Sequence, residues 1–268
     1  MSATLRIVIL GCGSSPGVPR IGNDWGACDP DEPKNRRTRT SILIERVADG
    51  GVTRVLVDSG PDVRQQLLAA DVGAIDAVVY THSHADHVHG IDDLRAFWLS
   101  THRLVEAYAD APTAAHLKRA FGYCFATEPG SNYPPILKLN PIAAGAPFTI
   151  TGAGGPLAIA PFRQIHGDID SLGLRVASFV YSCDVSDLPP EAQAQIQGVD
   201  LWLVDALRRK PHPSHFSLGE AQDWIARLRV KRAVLTHMHN DLDYRTLRAA
   251  LPASVEPGYD GMVLELPA

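Results

Sequence analysis

The sequence has few of the features that mark secreted, membrane-spanning or nucleic-acid-binding proteins. Its 268 residues include only four cysteines, which are widely scattered and form no Cys-x-x-Cys pair, so no disulfide framework is indicated. No apolar run approaches the roughly 18 residues of a membrane span. The apolar run at residues 7–10 is too short for the core of a signal peptide. These absences predict a cytoplasmic protein without a membrane partner.

The sequence also lacks a large excess of charge of either sign. Lys and Arg number 25 against 30 Asp and Glu, a net charge of −5, which argues against binding to nucleic acid by bulk charge. Apolar residues make up 45% and charged residues 21%, as in globular proteins, so disorder, collagen and coiled coil are excluded. The chain shows no repeat, and we expect residues 1–268 to form one domain.

Short runs rich in β-branched residues alternate with segments of helical periodicity. Strands are predicted at residues 5–11, 41–45, 54–58, 77–80, 105–108, 148–150, 157–161, 174–181, 201–204 and 233–235. Helices are predicted at residues 63–70, 91–99, 113–120, 218–228 and 244–251. Many strands with interspersed helices predict an α/β fold in which two sheets are covered on their outer faces, an αββα sandwich.

The most informative segment follows the predicted strand at residues 77–80. It reads His82-Ser83-His84-Ala85-Asp86-His87, a His-x-His-x-Asp-His pattern. On a helix, His82 and His84 would point about 200° apart, whereas residues two apart in an extended loop face the same side. Imidazole and carboxylate are ligands of zinc, iron and manganese, so this loop could supply two adjacent metal sites. The alternative is a chance cluster of histidines on a solvated loop.

This loop resembles the signature of the metallo-β-lactamase superfamily. The resemblance implies the αββα sandwich and a metal centre at the sheet edge, completed by three later ligands that each follow a strand. His166 and Asp184 stand at two such positions, and Asp184 is the implied carboxylate that bridges both metals. The last ligand is either His237 or His239, since Leu-Thr-His-Met-His offers two imidazoles and the family pattern favours the first.

The resemblance assigns these residues to two divalent ions, zinc or manganese. One ion is expected on His82, His84 and His166, and the other on Asp86, His87 and His237 or His239, with Asp184 between them. Asp58, at another predicted strand end, is expected to orient a ligand histidine, with a turn-forming role as the alternative.

Further motifs resemble the PhnP-like phosphodiesterase branch of the superfamily. They are Gly11-Cys12-Gly13-Ser14-Ser15-Pro16-Gly17, Ser182-Cys183-Asp184, Pro211-His212-Pro213-Ser214-His215-Phe216 and Gly258-Tyr259-Asp260-Gly261. Asp86 and His215 are the predicted catalytic residues, and His215 is nominated to protonate the leaving alkoxide. His212 could substitute for it, or either could be a surface histidine. The basic run at residues 34–39 could hold a phosphate or form a solvated face.

The pattern therefore predicts a phosphodiesterase in which a hydroxide bridging two metals attacks a small cyclic or nucleotide-like phosphodiester. An ester, thioester or lactone hydrolase is the enzymatic alternative, and a nucleotide-binding relative without activity is the non-catalytic one. A diiron redox enzyme is disfavoured because His84 stands where that branch commonly has Glu. Nucleic acid is not an expected partner, and a homodimer is compatible with the sequence.

Overall fold

A computed structural model describes residues 3–268, which form fourteen β-strands and seven α-helices. The strands are β1 Thr4–Gly11, β2 Ser41–Ala48, β3 Gly51–Val57, β4 Ala77–Val79, β5 Val105–Ala109, β6 Leu137–Pro141, β7 Phe148–Gly152, β8 Gly155–His166, β9 Ile169–Val176, β10 Phe179–Ser182, β11 Leu201–Asp205, β12 Arg232–Thr236, β13 Val255–Pro257 and β14 Val263–Pro267. The helices are α1 Val63–Ala69, α2 Ala85–Val88, α3 Arg95–Thr101, α4 Ala111–Ala120, α5 Pro190–Ile196, α6 Leu218–Arg227 and α7 Tyr244–Ala250.

The strands form two seven-stranded sheets. The first has the order β14-β1-β2-β3-β4-β5-β6 and the second β13-β12-β11-β10-β9-β8-β7. Each sheet is half antiparallel and half parallel: β3 to β6 run parallel in the first, and β10 to β13 in the second. Because parallel strands share one direction, their carboxyl ends lie at the same edge of each sheet.

Alternating burial shows how the sheets pack. In β1 to β4, side chains that contact the second sheet alternate with side chains that contact the outer helices, as with Ile42 and Ile44 against Leu43. The outer cluster of the first sheet takes in Val63 and Leu67 of α1. A second cluster takes in the side chains between the sheets and continues through the second sheet to side chains of α5 to α7. The layers are therefore helix, sheet, sheet and helix, and the predicted αββα sandwich is confirmed.

Local sequence signals account for the helix starts. Ser217 and Glu220 form a capping box at α6, and the carboxylates of Asp110 and Asp243 accept backbone N–H bonds at the starts of α4 and α7. These caps satisfy N–H groups that have no partner within the helix.

The prediction of one strand at residues 174–181 is wrong. The structure has two strands, β9 and β10, separated by a turn at Ala177, whose φ is 50°. The elements α2, β6, α5, β13 and β14 were not predicted. Among residues 3–268, no helix is long and apolar enough to span a membrane.

Candidate metal centre

Chemically reactive side chains meet where strands of both sheets end. The strands β3, β4, β8, β10, β11 and β12 end at or just before Asp58, His82, His166, Asp184, Asp205 and His237. Crevices outside the carboxyl ends of such strands are the usual location of sites in α/β proteins. The topology therefore brings together residues that lie up to 179 positions apart, from Asp58 to His237.

The His-x-His-x-Asp-His loop has the conformation that its spacing requires. Residues 80–84 are not helical, and His84 has extended backbone angles of −65° and 152°. The short helix α2 begins directly after it and carries Asp86 and His87 in its single turn. The extended half therefore presents His82 and His84 together, and the helical turn redirects Asp86 and His87.

Asp184 lies between two groups of imidazoles. Its Oδ2 is 3.5 Å from His82 Nε2 and 3.4 Å from His166 Nε2. Its Oδ1 is 3.2 Å from His87 Nε2 and 3.4 Å from His237 Nδ1. Each carboxylate oxygen thus faces its own pair of histidines, as a ligand shared by two cations would.

Two groups of side chains have the spacing of metal sites. The first consists of His82, His84, His166 and Asp184, and the second of His87, Cys183, Asp184 and His237. In each group, one ligand atom per residue lies within 4.8 Å of all the others. Asp86 falls outside the second group, although its Oδ2 is 3.6 Å from His87 Nε2.

The tautomers of the histidines suit metal binding. The hydroxyl of Thr81 already donates to Asp58 Oδ2, so it accepts from His82 Nδ1 at 3.1 Å. In the same way Thr40 donates to a backbone carbonyl and accepts from His237 Nδ1, and the carbonyl of Ser214 accepts from His166 Nδ1. With Nδ1 protonated, Nε2 keeps its lone pair, the form that binds a cation.

Three of these nitrogens lack any hydrogen bond. Nε2 of His82, His87 and His237 is buried and has no partner among residues 3–268. A buried polar atom without a partner is costly, so such a cluster needs a further ligand. Divalent cations bound here would give all three nitrogens a partner, so the donor set fits metal binding.

Burial and proximity set the charges of the cluster. Burial, together with the imidazole of His87, lowers the pKa of His82 well below its ordinary value, and burial also lowers the pKa of His237. Burial opposes ionisation of Asp184, but the imidazoles of His237 and His87 hold the pKa of this carboxyl well below its usual range. Burial also opposes protonation of His87, but the carboxylates of Asp184 and Asp58 raise the pKa of this imidazole well above its ordinary value. A cation bound at His87 would therefore displace a proton, whereas His82 and His237 are already neutral and Asp184 already ionised.

Polar side chains around the cluster hold the ligands in place. Asp58 Oδ2 accepts from His87 Nδ1 at 2.7 Å, and both of its oxygens accept from Thr81. Ser15 Oγ donates to Asp86 Oδ2 at 2.7 Å. Asp58 thus has the contact expected from the sequence, while Ser15 was given there only as part of the motif at residues 11–17.

His215 lies at the rim of the cluster. Its Nδ1 donates to Asp205 Oδ2 at 2.7 Å, its Nε2 is 3.9 Å from Asp184 Oδ2, and its ring stacks on His237 with centroids 5.0 Å apart. Burial opposes protonation, but the carboxylate of Asp205 raises the pKa of His215 to about 9. The ring centroid of His212 is 5.2 Å from that of His215, and its Nδ1 is hydrogen-bonded to the hydroxyl of Ser214.

The structure separates the two candidates for the last ligand. His237 contacts Asp184, whereas His239 Nδ1 lies 3.1 Å from Arg20 Nη2, and His239 is not part of either group. The reason is the backbone at His237, whose φ of 57° ends the extended course of β12. Side chains two residues apart consequently do not share a face.

In the basic run at residues 34–39, Arg37 and Arg39 are both engaged by other residues and are not free to hold a phosphate. Arg37 is buried and donates to the carbonyls of His239 at 3.1 Å and Leu242 at 2.6 Å, and Arg39 pairs with Asp62 at 3.0 Å. Arg37 instead holds the loop that follows His237.

Three contributors were not found from the sequence. Cys183 Sγ lies 3.0 Å from Asp184 Oδ1 and 3.5 Å from His237 Nδ1, and burial raises the pKa of its thiol. Asp205 holds His215, and Arg20 holds His239. Asp205 could have been found, because it ends a predicted strand as Asp184 does.

The family described as the beta-lactamase superfamily domain matches residues 53–238. The chain belongs to the metallo-β-lactamase superfamily. A solved structure described as a new diphosphatase from the PhnP family is 34% identical, with a TM-score of 0.87, and the match covers 99% of this chain and 98% of that one. The predicted superfamily and PhnP-like branch are confirmed, and the predicted class, a metal-dependent hydrolase, agrees with them.

Two curated relatives widen the comparison. The protein named octanoyltransferase of Porphyromonas gingivalis is 35% identical over 263 residues, which are 96% of this chain and 51% of that protein. The chain therefore spans about half the length of that relative. Ribonuclease Z of Mycobacterium sp. (strain KMS) is 25% identical over 274 residues, covering 85% of this chain and 90% of that protein.

Proposed function

We propose that residues 1–268 form one hydrolase domain that binds two divalent metal ions and cleaves a small cyclic or nucleotide-like phosphodiester. The observation that carries this proposal is the position of Asp184, whose two oxygens each face a different pair of histidines. The diphosphatase relative, named for a reaction at phosphorus, supports the substrate class.

The ligand assignment follows the first group and, in the second, takes Asp86 as a ligand in place of Cys183. His82, His84 and His166 would hold one ion, Asp86, His87 and His237 the other, and Asp184 both. Zinc and manganese both suit imidazole and carboxylate donors. When bound, two such ions neutralise charge on phosphoryl oxygens and lower the pKa of water toward neutrality.

The residues of the chain orient the ligands and move the proton. Asp58 fixes the ring of His87, and Ser15 fixes the carboxylate of Asp86. His215, protonated and held by Asp205, is placed to donate from Nε2 to the oxygen that leaves phosphorus. Because Asp205 accepts a hydrogen bond from Nδ1 of His215, the proton available for the leaving oxygen is the one on Nε2.

A substrate panel tests the proposal. Bis-p-nitrophenyl phosphate, a ribose cyclic phosphate and an acyl lactone are compared on protein loaded with zinc or manganese, with Asp184→Asn as the control. We expect turnover of the phosphodiesters that is lost in the variant. Turnover of the lactone alone would reject the phosphodiester assignment.

Hydrolysis of a carboxylic ester or thioester is the second candidate. It is favoured by one finding, the 35% identity to a protein named for transfer of an octanoyl group. Since the chain matches only about half of that protein, the named activity belongs to the whole relative. Octanoyl thioesters are therefore added to the panel as the substrates that would promote this candidate.

The proposal also covers the kind of substrate, the cellular location and the oligomeric state. The net charge of −5 favours a small substrate over nucleic acid. All four cysteines are free thiols, as in a reducing cytoplasm, which is the proposed location. A homodimer is compatible with this scheme.

A further inference from the structure

A buried arginine holds the turn that follows the proposed ligand His237. The side chain of Arg37 is only 1% exposed. Its Nη1 donates to the carbonyl of His239 at 3.1 Å, and its Nη2 donates to the carbonyl of Leu242 at 2.6 Å. The planar guanidinium therefore joins two points of the backbone that lie two and five residues after His237.

The other contacts of Arg37 are also with uncharged groups. Nη2 lies 3.4 Å from Asn35 Oδ1, and Nη1 lies 3.9 Å from the Sγ of Cys28, a thiol whose pKa burial raises. Nε is buried and has no hydrogen-bond partner among residues 3–268. The cost of taking a charge out of water can exceed the stabilisation that such neutral partners provide. Stability alone therefore does not account for an arginine at this position.

The backbone of His237 needs support from its surroundings. Its φ of 57° lies in the left-handed region, which is uncommon for a residue with a Cβ atom. Such a conformation persists only where the surrounding structure fixes it. Here the fixing contacts lie after the ligand, because Met238 N–H donates to the carbonyl of Cys12 at 2.9 Å and Arg37 holds the turn beyond.

The chain just after Arg37 also holds the imidazole of His237. Thr40 accepts from His237 Nδ1 at 3.0 Å and donates to the carbonyl of Gly13 at 2.8 Å. The backbone of Arg37 exchanges two hydrogen bonds of 2.9 Å with Val18. Thr40 thus fixes the ring, Arg37 fixes the turn, and both are tied to the loop that follows β1.

We propose that Arg37 is a positioning residue for the second ion, the one assigned to His237, because it holds this imidazole where the ion binds. The inference rests on the proposed function, which makes the assignment. The proposed ligands of the first ion are His82, His84 and His166, and none of them lies on the turn that Arg37 holds. Arg37 therefore sets the affinity for one ion of the two without touching either.

The test compares Arg37→Met with Arg54→Met by calorimetric titration of metal-free protein with zinc. Arg54 is the matched control, because its side chain is 21% exposed and donates to the backbone carbonyl of Ala74 at 2.9 Å, and none of its partners is a proposed ligand. We expect Arg37→Met to weaken binding of one ion about 10- to 100-fold, the usual effect of losing a group that orients a ligand. Binding of the other ion, and of both ions to Arg54→Met, should stay within about twofold of wild type.

A double-mutant comparison tests whether Arg37 acts through His237. In His237→Ala the ligand is already lost, so adding Arg37→Met should change the remaining zinc affinities by no more than about twofold. A general loss of packing would instead weaken binding by the same factor in both backgrounds. Additive effects, or equal weakening of both ions by Arg37→Met, would overturn the role of Arg37.

Circular dichroism checks that each variant is folded. If Arg37→Met does not fold, Arg37→Lys takes its place in both comparisons, because it keeps the charge but lacks the planar fork that reaches two carbonyls. We expect Arg37→Lys to weaken binding of the same single ion, and unchanged affinities in this variant would equally overturn the inference.

A measurement without metal separates failure of this inference from failure of the proposed function. Imidazole NMR spectra of metal-free protein follow exchange of the Nδ1 proton of His237 with water. We expect this proton to be protected by its bond to Thr40 in wild type and in Arg54→Met, and to lose that protection in Arg37→Met. Wild-type protein that binds no zinc would reject the proposed function. Equal protection in wild type and Arg37→Met would overturn the positioning role, whether or not zinc binds.

Discussion

His215 donates from Nδ1 to Asp205 Oδ2 at 2.7 Å, which leaves Nε2 directed to the cluster at 3.9 Å from Asp184. This pairing joins the end of β11 to the loop before α6. It places a charged imidazole at the rim of the proposed metal centre, where a proton donor for the leaving group is needed.

The first prediction concerns this proton donor. His215→Asn should lower kcat about 100- to 1,000-fold on a ribose cyclic phosphate, because an alkoxide cannot leave without a proton. The effect should be much smaller on bis-p-nitrophenyl phosphate, since p-nitrophenolate leaves unprotonated. Steady-state kinetics on both substrates check it, with His212→Asn as the matched control. Equal losses on the two substrates would show that His215 does not act as the acid.

The second prediction concerns the support of the ligands. Asp58→Ala removes the acceptor that fixes the ring of His87, and it should weaken metal binding about 10- to 100-fold. Competition with a chromophoric chelator measures this affinity. Asp62→Ala, which removes only the partner of Arg39 on the same loop, should leave metal affinity near that of wild type.

A third prediction concerns whether Cys183 or Asp86 is a ligand of the second ion. The thiol of Cys183 is buried, its pKa is raised, and it is bonded to Asp184, so we expect it to remain protonated. The cobalt-substituted protein should then lack a sulfur-to-cobalt charge-transfer band in its absorption spectrum. Cys183→Ser should retain both ions. A charge-transfer band that disappears in Cys183→Ser would make the thiolate a ligand.

A fourth prediction concerns stability. The carboxylate of Asp243 accepts bonds from Asn35 at 2.6 Å, Thr246 at 2.9 Å and Asp29 at 3.2 Å. Burial opposes ionisation, but these bonds lower the pKa of Asp243 to about 2. The stabilisation is therefore fully present above the ordinary carboxyl pKa of 3.8 and is lost as the pH falls through about 2.

Asp243→Ala should accordingly reduce the free energy of unfolding by about 1–2 kcal/mol at pH 7, with a smaller penalty at pH 3. Urea unfolding at the two pH values measures the difference. The control is Asp110→Ala, which removes a helix cap whose side chain accepts one hydrogen bond, from the backbone N–H of Thr113. A penalty for Asp243→Ala that is the same at both pH values would contradict this interpretation.

The sequence predicted the features that depend on local patterns. The strands β1 to β4 were predicted because each is a short run of β-branched or apolar residues. The metal loop was predicted because His82 and His84 need an extended segment, which the structure has. The strand at residues 174–181 was wrong because Ala177 and Ser178 do not interrupt the apolar pattern, although the chain turns there.

Long-range contacts account for what the sequence could not predict. The choice between His237 and His239 depends on the backbone angle of a single residue, His237, which the residue pattern does not encode. Arg20 and His239 are 219 residues apart, and nothing in either segment indicates the other. The strand β14 became evident only from its pairing with β1, because its own alternation is short.

The central claim is that Asp184 lies between two divalent ions, and metal content tests it most directly. Elemental analysis of protein purified without added metal should give about two ions per chain. It should give fewer than one for Asp184→Ala, provided that circular dichroism shows both proteins folded. A wild-type content near zero after incubation with zinc or manganese, or an unchanged content in Asp184→Ala, would contradict the account.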